Sequence, residues 1–240
     1  KEIVLKCIES DIHILVEKPL CNSYNEYLEI ITRIKQGYEK VITVGHIERH
    51  NEVYKFAHEK LKSGEWGNLY SLHSRRMSPT SQRITDVGVI FDTAIHDIDL
   101  MCDLVSNSPK LVFTASSEYN SQKFEDNAMI NLFFADKIIA SCSASWLSPV
   151  RLRDFLITTS THLVSLNFLE NTISIDSKSN TSEVVNLENR ESLENEITDF
   201  LSSIKNSKKP LVTIEEAGLA IKIVEACINS SLEYRAINIL

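Results

Sequence analysis

Glycine is scarce in this chain, with six in 240 residues, and none of them fall in a GxGxxG spacing. The glycine-rich phosphate loop that opens a dinucleotide-binding sheet is therefore absent from the sequence. Cysteine is sparse as well. Cys7, Cys21, Cys102, Cys142 and Cys227 are odd in number, far apart and without a CxxC pair. That distribution argues against a disulfide framework and for free thiols in a reducing compartment, so a cytoplasmic location is expected. No apolar run approaches the roughly 20 residues of a membrane span, and no secretory leader pattern is present. There is no basic surplus: 25 Lys and Arg stand against 33 Asp and Glu, a net charge of −8. This excludes a broad nucleic-acid surface but leaves room for a local anion pocket, because global charge and local field are separate quantities.

What remains is a globular composition, 43% hydrophobic and 24% charged. A chain of this length buries roughly 70–75% of its unfolded surface, enough for a core without covalent staples. The sequence begins at Lys1 and enters an amphipathic pattern at once, through Ile3, Val4, Cys7 and Ile8. The expectation is that earlier parts of the same domain precede it.

The first 45 residues alternate helix and strand. Ile12–Val16 is an apolar run of strand length. Ser23 then has Glu26 three residues on, the spacing of a capping box, and Tyr27, Ile30, Ile31 and Ile34 supply a helical stripe to Ile34. Val41–Val44 is a second apolar strand. Alternating αβαβ with apolar strands predicts a parallel sheet covered on both faces, with ligands bound beyond the carboxyl ends of its strands. Both strand ends carry polar groups: Glu17-Lys18-Pro19 after the first, His46 and Arg49 after the second.

Residues 51–64 read as an amphipathic helix stopped at Gly64, Trp66–His73 as a strand, and Asp86–Leu104 as a long helix. Then come strand-like segments at 111–117, 128–134, 138–146, 155–159, 163–166 and 172–175. No helical stretch separates them, which predicts hairpins and an antiparallel sheet. Two helices, 191–204 and about 214–232, close the chain. The predicted fold class is an α/β Rossmann-like remnant over residues 1–46, followed over 47–240 by an α+β domain with a large, mainly antiparallel open sheet. The final helix is expected to pack back on the first domain.

Three groups of residues carry candidate chemistry. Lys18 stands at the end of a buried parallel strand, where a cofactor's charge would tune it; an ordinary solvated loop lysine is the alternative. Asp92, His96, Asp99 and Asp103 recur at helical spacing and so share one face. A carboxylate one turn from an imidazole would orient it and raise its basicity, which suits a general base; an exposed polar stripe is the alternative. A cation held by His and Asp at that spacing is a further one, but no second histidine cluster lies nearby, and no metal is expected. Trp146-x4-Arg151-x1-Arg153 puts two guanidinium groups on one side of an extended segment, a geometry suited to a diphosphate. A solvated sheet edge is the alternative there. Arg75 and Arg76 read as surface.

Together these residues resemble the glucose-fructose oxidoreductase/inositol dehydrogenase/MocA family. The likeness rests on Val16-Glu17-Lys18-Pro19-Leu20, on Gly45-His46-x2-Arg49-x1-Asn51, and on Gly88-x2-Phe91-Asp92-x3-His96-Asp97-x1-Asp99-Leu100. Glu125-Asp126 and the Trp146, Arg151, Arg153 group look like the branch acting on UDP-N-acetylhexosamines. The resemblance implies an NAD- or NADP-dependent oxidation of a sugar hydroxyl, at C3 of UDP-N-acetylglucosamine or a related UDP-sugar. It implies a catalytic trio of Lys18, Asp92 and His96. The cofactor would meet Glu17, Lys18, Pro19 and Arg49, and the substrate Lys18, Asp92, His96, Trp146, Arg151 and Arg153. It also implies a cis Lys18–Pro19 bond and a homodimer or homotetramer built on the open face of the second sheet. Inositol or another free polyol or hexose as substrate, and a non-catalytic homologue, stay open. Thr159-Ser160-Thr161 departs from the family, which has glycine in that turn.

Overall fold

The computed structural model describes residues 1–79, 86–120, 123–188 and 190–239. Helix α1 (Glu2–Glu9) and helix α2 (Tyr24–Ile34) flank a two-stranded parallel sheet, β1 (Ile14–Glu17) and β2 (Ile42–Gly45), paired from Ile14↔Ile42 to Glu17↔Gly45. Ser23 caps α2, its hydroxyl accepting the Glu26 N–H at 3.2 Å. The return bond of the predicted capping box goes one residue further back: the Glu26 carboxylate accepts from the Asn22 N–H at 2.9 Å. The Lys18–Pro19 peptide bond is cis.

A 3₁₀ turn (Ile47–His50) and helix α3 (Glu52–Lys62) lead into the second sheet. Its strands are β3 (Leu69–Pro79), β4 (Leu111–Ser117), β5 (Asn127–Phe133), β6 (Ile139–Ser145), β7 (Leu147–Thr159), β8 (His162–Asn167), β9 (Thr172–Ser177), β10 (Ser182–Asn186) and β11 (Ile237–Asn238). They lie in the order β10-β9-β8-β7-β3-β6-β5-β4-β11. Every neighbouring pair is antiparallel except β3 and β6, which run parallel from Ser71↔Ile139 to Met77↔Ser145. The hairpin expectation fails only there, because β3 enters the middle of the sheet from outside the hairpin series.

One sheet face is covered. Leu72, Val112, Ile130, Leu132, Ala140, Cys142, Phe155, Ile157, Val164, Leu166 and Ile173 are buried on it. Over it lie helix α4 (Ile95–Val105) and helix α6 (Ile214–Glu233); helix α5 (Ser192–Asn206) packs on the 3₁₀ turn after β2. Alternation along the strands leaves Phe113, Met129, Ile139, Leu163 and Val184 exposed on the opposite face. Helix α6 also reaches back to β2 and α2. Its Gly218 sits so close to Tyr27 of α2 that an added Cβ would lie 2.2 Å from the ring.

Three boundaries differ from expectation. The long helix does not begin at Asp86: it opens with a π-helical turn, Ile90–Ala94, before α4. Strand β7 begins at Leu147 and runs through Ser148-Pro149, where the sequence pattern predicts a strand only over 155–159. At the Thr159–Thr161 turn, Ser160 N–H donates to the Asn68 carbonyl at 2.8 Å and Thr161 Oγ1 to the Trp66 carbonyl at 2.7 Å. The loop facing this turn carries a glycine: Gly67 has φ 75°, and a Cβ on it would meet Ser160 Oγ at 2.3 Å.

All five cysteines are free thiols, four of them buried. Among the described residues no helix is long and apolar enough to cross a membrane.

Candidate active site

Strand β1, the π turn, the 3₁₀ turn after β2, β3 and β7 converge on a cavity of about 350 Å³, a volume in the range of small-molecule sites. Lys18, Glu48, Arg76, Asp92, Thr93, His96, Trp146, Arg151 and Arg153 are among its lining residues. The structure thus gathers into one cleft side chains that lie far apart in sequence.

Lys18 leaves the end of β1 and is fixed by the π turn. Its Nζ donates to the Asp92 carbonyl at 2.7 Å and to Asp92 Oδ1 at 2.8 Å. An ammonium has three donors, so one N–H remains for the cavity. Thr93 Oγ1 donates to Asp92 Oδ2 at 3.3 Å and accepts the Trp146 indole N–H at 3.0 Å. Gly88 brings the start of this helix against Glu125. The Glu125 carbonyl accepts the Val89 N–H at 2.8 Å and its carboxylate the Ile90 N–H at 3.0 Å. A Cβ at Gly88 would fall 2.1 Å from that carboxylate.

His96 lines the cavity, and its Nδ1 is buried without a hydrogen-bond partner among the described residues. Burial pushes its pKa well below the ordinary value, and the positive charges of Arg76, Lys18 and Arg153 push the same way. The imidazole is therefore neutral at neutral pH and able to accept a proton. This corrects the expectation of carboxylate support. The π turn adds about one residue to the helix ahead of α4 and rotates Asp92 off the Asp99–Asp103 stripe by roughly 100°. Asp92 goes to Lys18, while Asp99 lies 3.6 Å from His46 Nδ1 and pairs with Arg49.

Arg49 is a second correction. Its guanidinium is buried: Nε and Nη2 each donate to Asp99 at 2.7 Å, and Nη1 lies 3.1 Å from Asp103 and 2.9 Å from Glu216. It ties the 3₁₀ turn to α4 and α6, and the structure does not place it in the cavity. Burial opposes the charge on Asp99, yet the paired Arg49 guanidinium holds its carboxyl below the usual range. Glu17 and Pro19 flank the cleft at the end of β1 without lining it. Glu17 is exposed and abuts Gly45, where a Cβ would lie 3.0 Å from its Oε2.

Arg151 and Arg153 both line the cavity from β7, as alternation predicts. The sequence reading missed Glu48 and misplaced Arg76. Arg76 is buried, with Nε and Nη2 donating to Asp97 Oδ1 at 3.0 and 2.7 Å and Nη1 to Glu48 Oε1 at 2.7 Å. The same Glu48 oxygen accepts from Arg153 Nη1 at 3.2 Å. Arg75, by contrast, is exposed and pairs with Asp154. The signal was available: adjacent residues in a strand face opposite sides, so Arg75 and Arg76 cannot both be on the surface. Among the described residues no group of three or more His, Cys, Asp and Glu side chains is placed to hold a metal ion.

Residues 54–162 match the family model described as the GFO/IDH/MocA C-terminal domain. UDP-N-acetylglucosamine 3-dehydrogenase of Acidithiobacillus ferrooxidans is 27% identical over 206 residues, which is 82% of this chain and 64% of that protein. A solved structure carrying that name and source superposes with a TM-score of 0.89 at 24% identity, covering 97% of this chain and 75% of that one. Inositol 2-dehydrogenase of Pseudarthrobacter chlorophenolicus is 32% identical over 100 residues, 41% of this chain and 30% of that protein. An oxidoreductase from Agrobacterium radiobacter, in complex with NAD⁺, L-tartaric acid and magnesium, superposes with a TM-score of 0.89 at 14% identity, covering 99% of this chain and 76% of that one. The chain thus spans less than two thirds of the length of the curated relatives it matches. The stretch that matches the family model, residues 54–162, runs from α3 into β8, and over it the chain is similar to the GFO/IDH/MocA C-terminal domain.

Proposed function

We propose that the chain is part of an NAD- or NADP-dependent dehydrogenase that oxidises a sugar hydroxyl, preferentially C3 of UDP-N-acetylglucosamine or a related UDP-sugar. One observation carries the reading: an ammonium with one free N–H, pinned by Asp92, shares a cavity with a neutral imidazole. The named sugar and polyol dehydrogenases among the relatives support it, as does the NAD⁺ complex of a structural neighbour.

The residues at the carboxyl ends of β1 and β2 fit a nicotinamide nucleotide. Gly45 keeps the two strand ends close, and the polar groups there are one partly free ammonium, which donates, and one exposed carboxylate, which accepts. In this reading Glu17, Lys18 and Pro19 hold the nicotinamide ribose side, and residues 1–46 are part of its domain. Residues 47–240 then form the substrate and assembly domain. When bound, the nicotinamide supplies the acceptor for the hydride leaving the sugar carbon. His96 Nε2 takes the hydroxyl proton in the same step. The free Lys18 N–H donates to the sugar oxygen as it becomes a carbonyl, and Asp92 holds Lys18 in line. Trp146 closes the cavity wall over the sugar. Arg151 and Arg153 face the charged part of the substrate; among the described residues Arg151 makes no ion pair. Assembly as a homodimer or homotetramer through the open sheet face and a cytoplasmic location complete the reading.

Inositol is the second substrate favoured by a specific observation, the 32% identity to an inositol 2-dehydrogenase. Appearance of reduced nicotinamide from the full-length protein, with UDP-N-acetylglucosamine or myo-inositol and with each coenzyme, separates the two. Turnover of the nucleotide sugar is expected. Turnover of inositol alone would transfer the assignment, and folded protein silent with every combination would remove it.

A further inference from the structure

Arg76 and Arg153 are direct cross-strand partners on the covered face of the β3–β7 ladder. Like charges in that position repel and destabilise a sheet. On the opposite face the neighbouring pair is complementary, Arg75↔Asp154, with a salt bridge. The repulsive pair is bridged by a single atom. Glu48 Oε1, from the 3₁₀ turn after β2, accepts from Arg76 at 2.7 Å and from Arg153 at 3.2 Å. Burial opposes the charge on Glu48, yet Arg76 and Arg153 hold its carboxyl below the usual range, so it is ionised.

The two guanidinium groups are not equivalent. Arg76 is buried and uses Nε and both Nη groups on Asp97 and Glu48. Arg153 spends one contact on Glu48, and its side chain is 44% exposed where it lines the cavity. A guanidinium has five N–H donors, so most of those on Arg153 are open to a ligand. Four cationic side chains line the cavity, Lys18, Arg76, Arg151 and Arg153, against the carboxylates of Glu48 and Asp92.

We infer that Glu48 is a positioning residue for substrate selection. Anchored on buried Arg76, it tethers Arg153 by one edge and presents the rest of that guanidinium, beside Arg151, to an anionic group of the substrate such as a diphosphate. This rests on the nucleotide-sugar reading above and names the residue that sets it.

Calorimetric titration with UDP, and with uridine as the same probe lacking phosphates, tests the inference. Glu48→Asp keeps the charge but is one methylene too short to bridge both arginines. It should weaken UDP binding on the order of tenfold, the scale of one charge-assisted hydrogen bond, and leave uridine unchanged. Arg153→Ala should do at least as much. In the Arg153→Ala background the Glu48 substitution should have no further effect, since coupled residues are non-additive. Glu48→Gln, which keeps the length and one acceptor oxygen, provides the same cycle if Glu48→Asp does not fold. Additive losses, or equal losses for UDP and uridine, overturn the role of Glu48 alone. A wild-type protein that does not bind UDP overturns it together with the nucleotide-sugar reading.

Discussion

Buried charge determines what each residue at the site can do. Arg76, Glu48, Asp97 and Arg153 form a chain of alternating sign, so their burial is compensated within the cluster. Glu196 of α5 has no such partner. Both its carboxylate oxygens are buried without a hydrogen bond among the described residues, and burial followed by the nearby Glu17 raises its pKa from 4.5 to about 7. The folded protein then binds more protons than the unfolded chain between those two values, so this group makes stability fall as pH rises through that window. Glu196→Gln should flatten the fall, leaving the melting temperature less dependent on pH from 4.5 to about 7 and higher than wild type above it. An unchanged slope in thermal melts across that window would show that Glu196 is not protonated there. At this scale the sequence disclosed Lys18, Asp92, His96, Trp146, Arg151 and Arg153. It did not disclose Glu48, since nothing local marks a carboxylate whose partners lie 28 and 105 residues away, and it put Arg49 in the wrong place for the same reason.

Elements were legible where their periodicity was set by a single covered face. Strand β4 and the start of α6 match the pattern of apolar residues closely. The π turn was not visible, because its inserted residue changes the phase of a helix without interrupting its apolar composition. Strand β10 is mostly polar and exposed, and β11 is two residues long, so neither generates an alternating signal. The contact between α6 and α2 allows a prediction in which two effects compete. Gly218→Ala gains about 1 kcal/mol of helix propensity. The added Cβ would meet the Tyr27 ring at 2.2 Å, and overpacking of that kind costs about 1–3 kcal/mol. The packing cost should win, lowering the melting temperature of the protein. A higher melting temperature in the variant would mean that α2 and α6 part easily.

The whole molecule is a layered body in which helices cover one face of a nine-stranded sheet and leave Phe113, Met129, Ile139, Leu163 and Val184 exposed on the other. In the proposed assembly this open face is the interface, since apolar side chains left exposed on one face are candidates for association. Met129 on strand β5 is 60% exposed, so Met129→Asp would place a charge within such an interface. Wild-type protein should run as a dimer or tetramer by light scattering, and the variant should shift to monomer. A variant with the wild-type mass would move the assembly surface elsewhere. Both sheets were legible from the order of helical and strand patterns along the chain. The parallel β3–β6 contact was not, since it joins segments roughly 70 residues apart.

The central claim is that Lys18 and His96 act on one hydroxyl in one cavity. The most direct measurement follows deuterium from C3 of labelled UDP-N-acetylglucosamine to the nicotinamide ring. Full-length wild-type protein should transfer the label, while its Lys18→Ala and His96→Ala variants, each shown to be folded, should slow transfer by roughly 10²–10⁴-fold. Transfer at the wild-type rate in either variant, or no transfer in the wild type, would contradict the account.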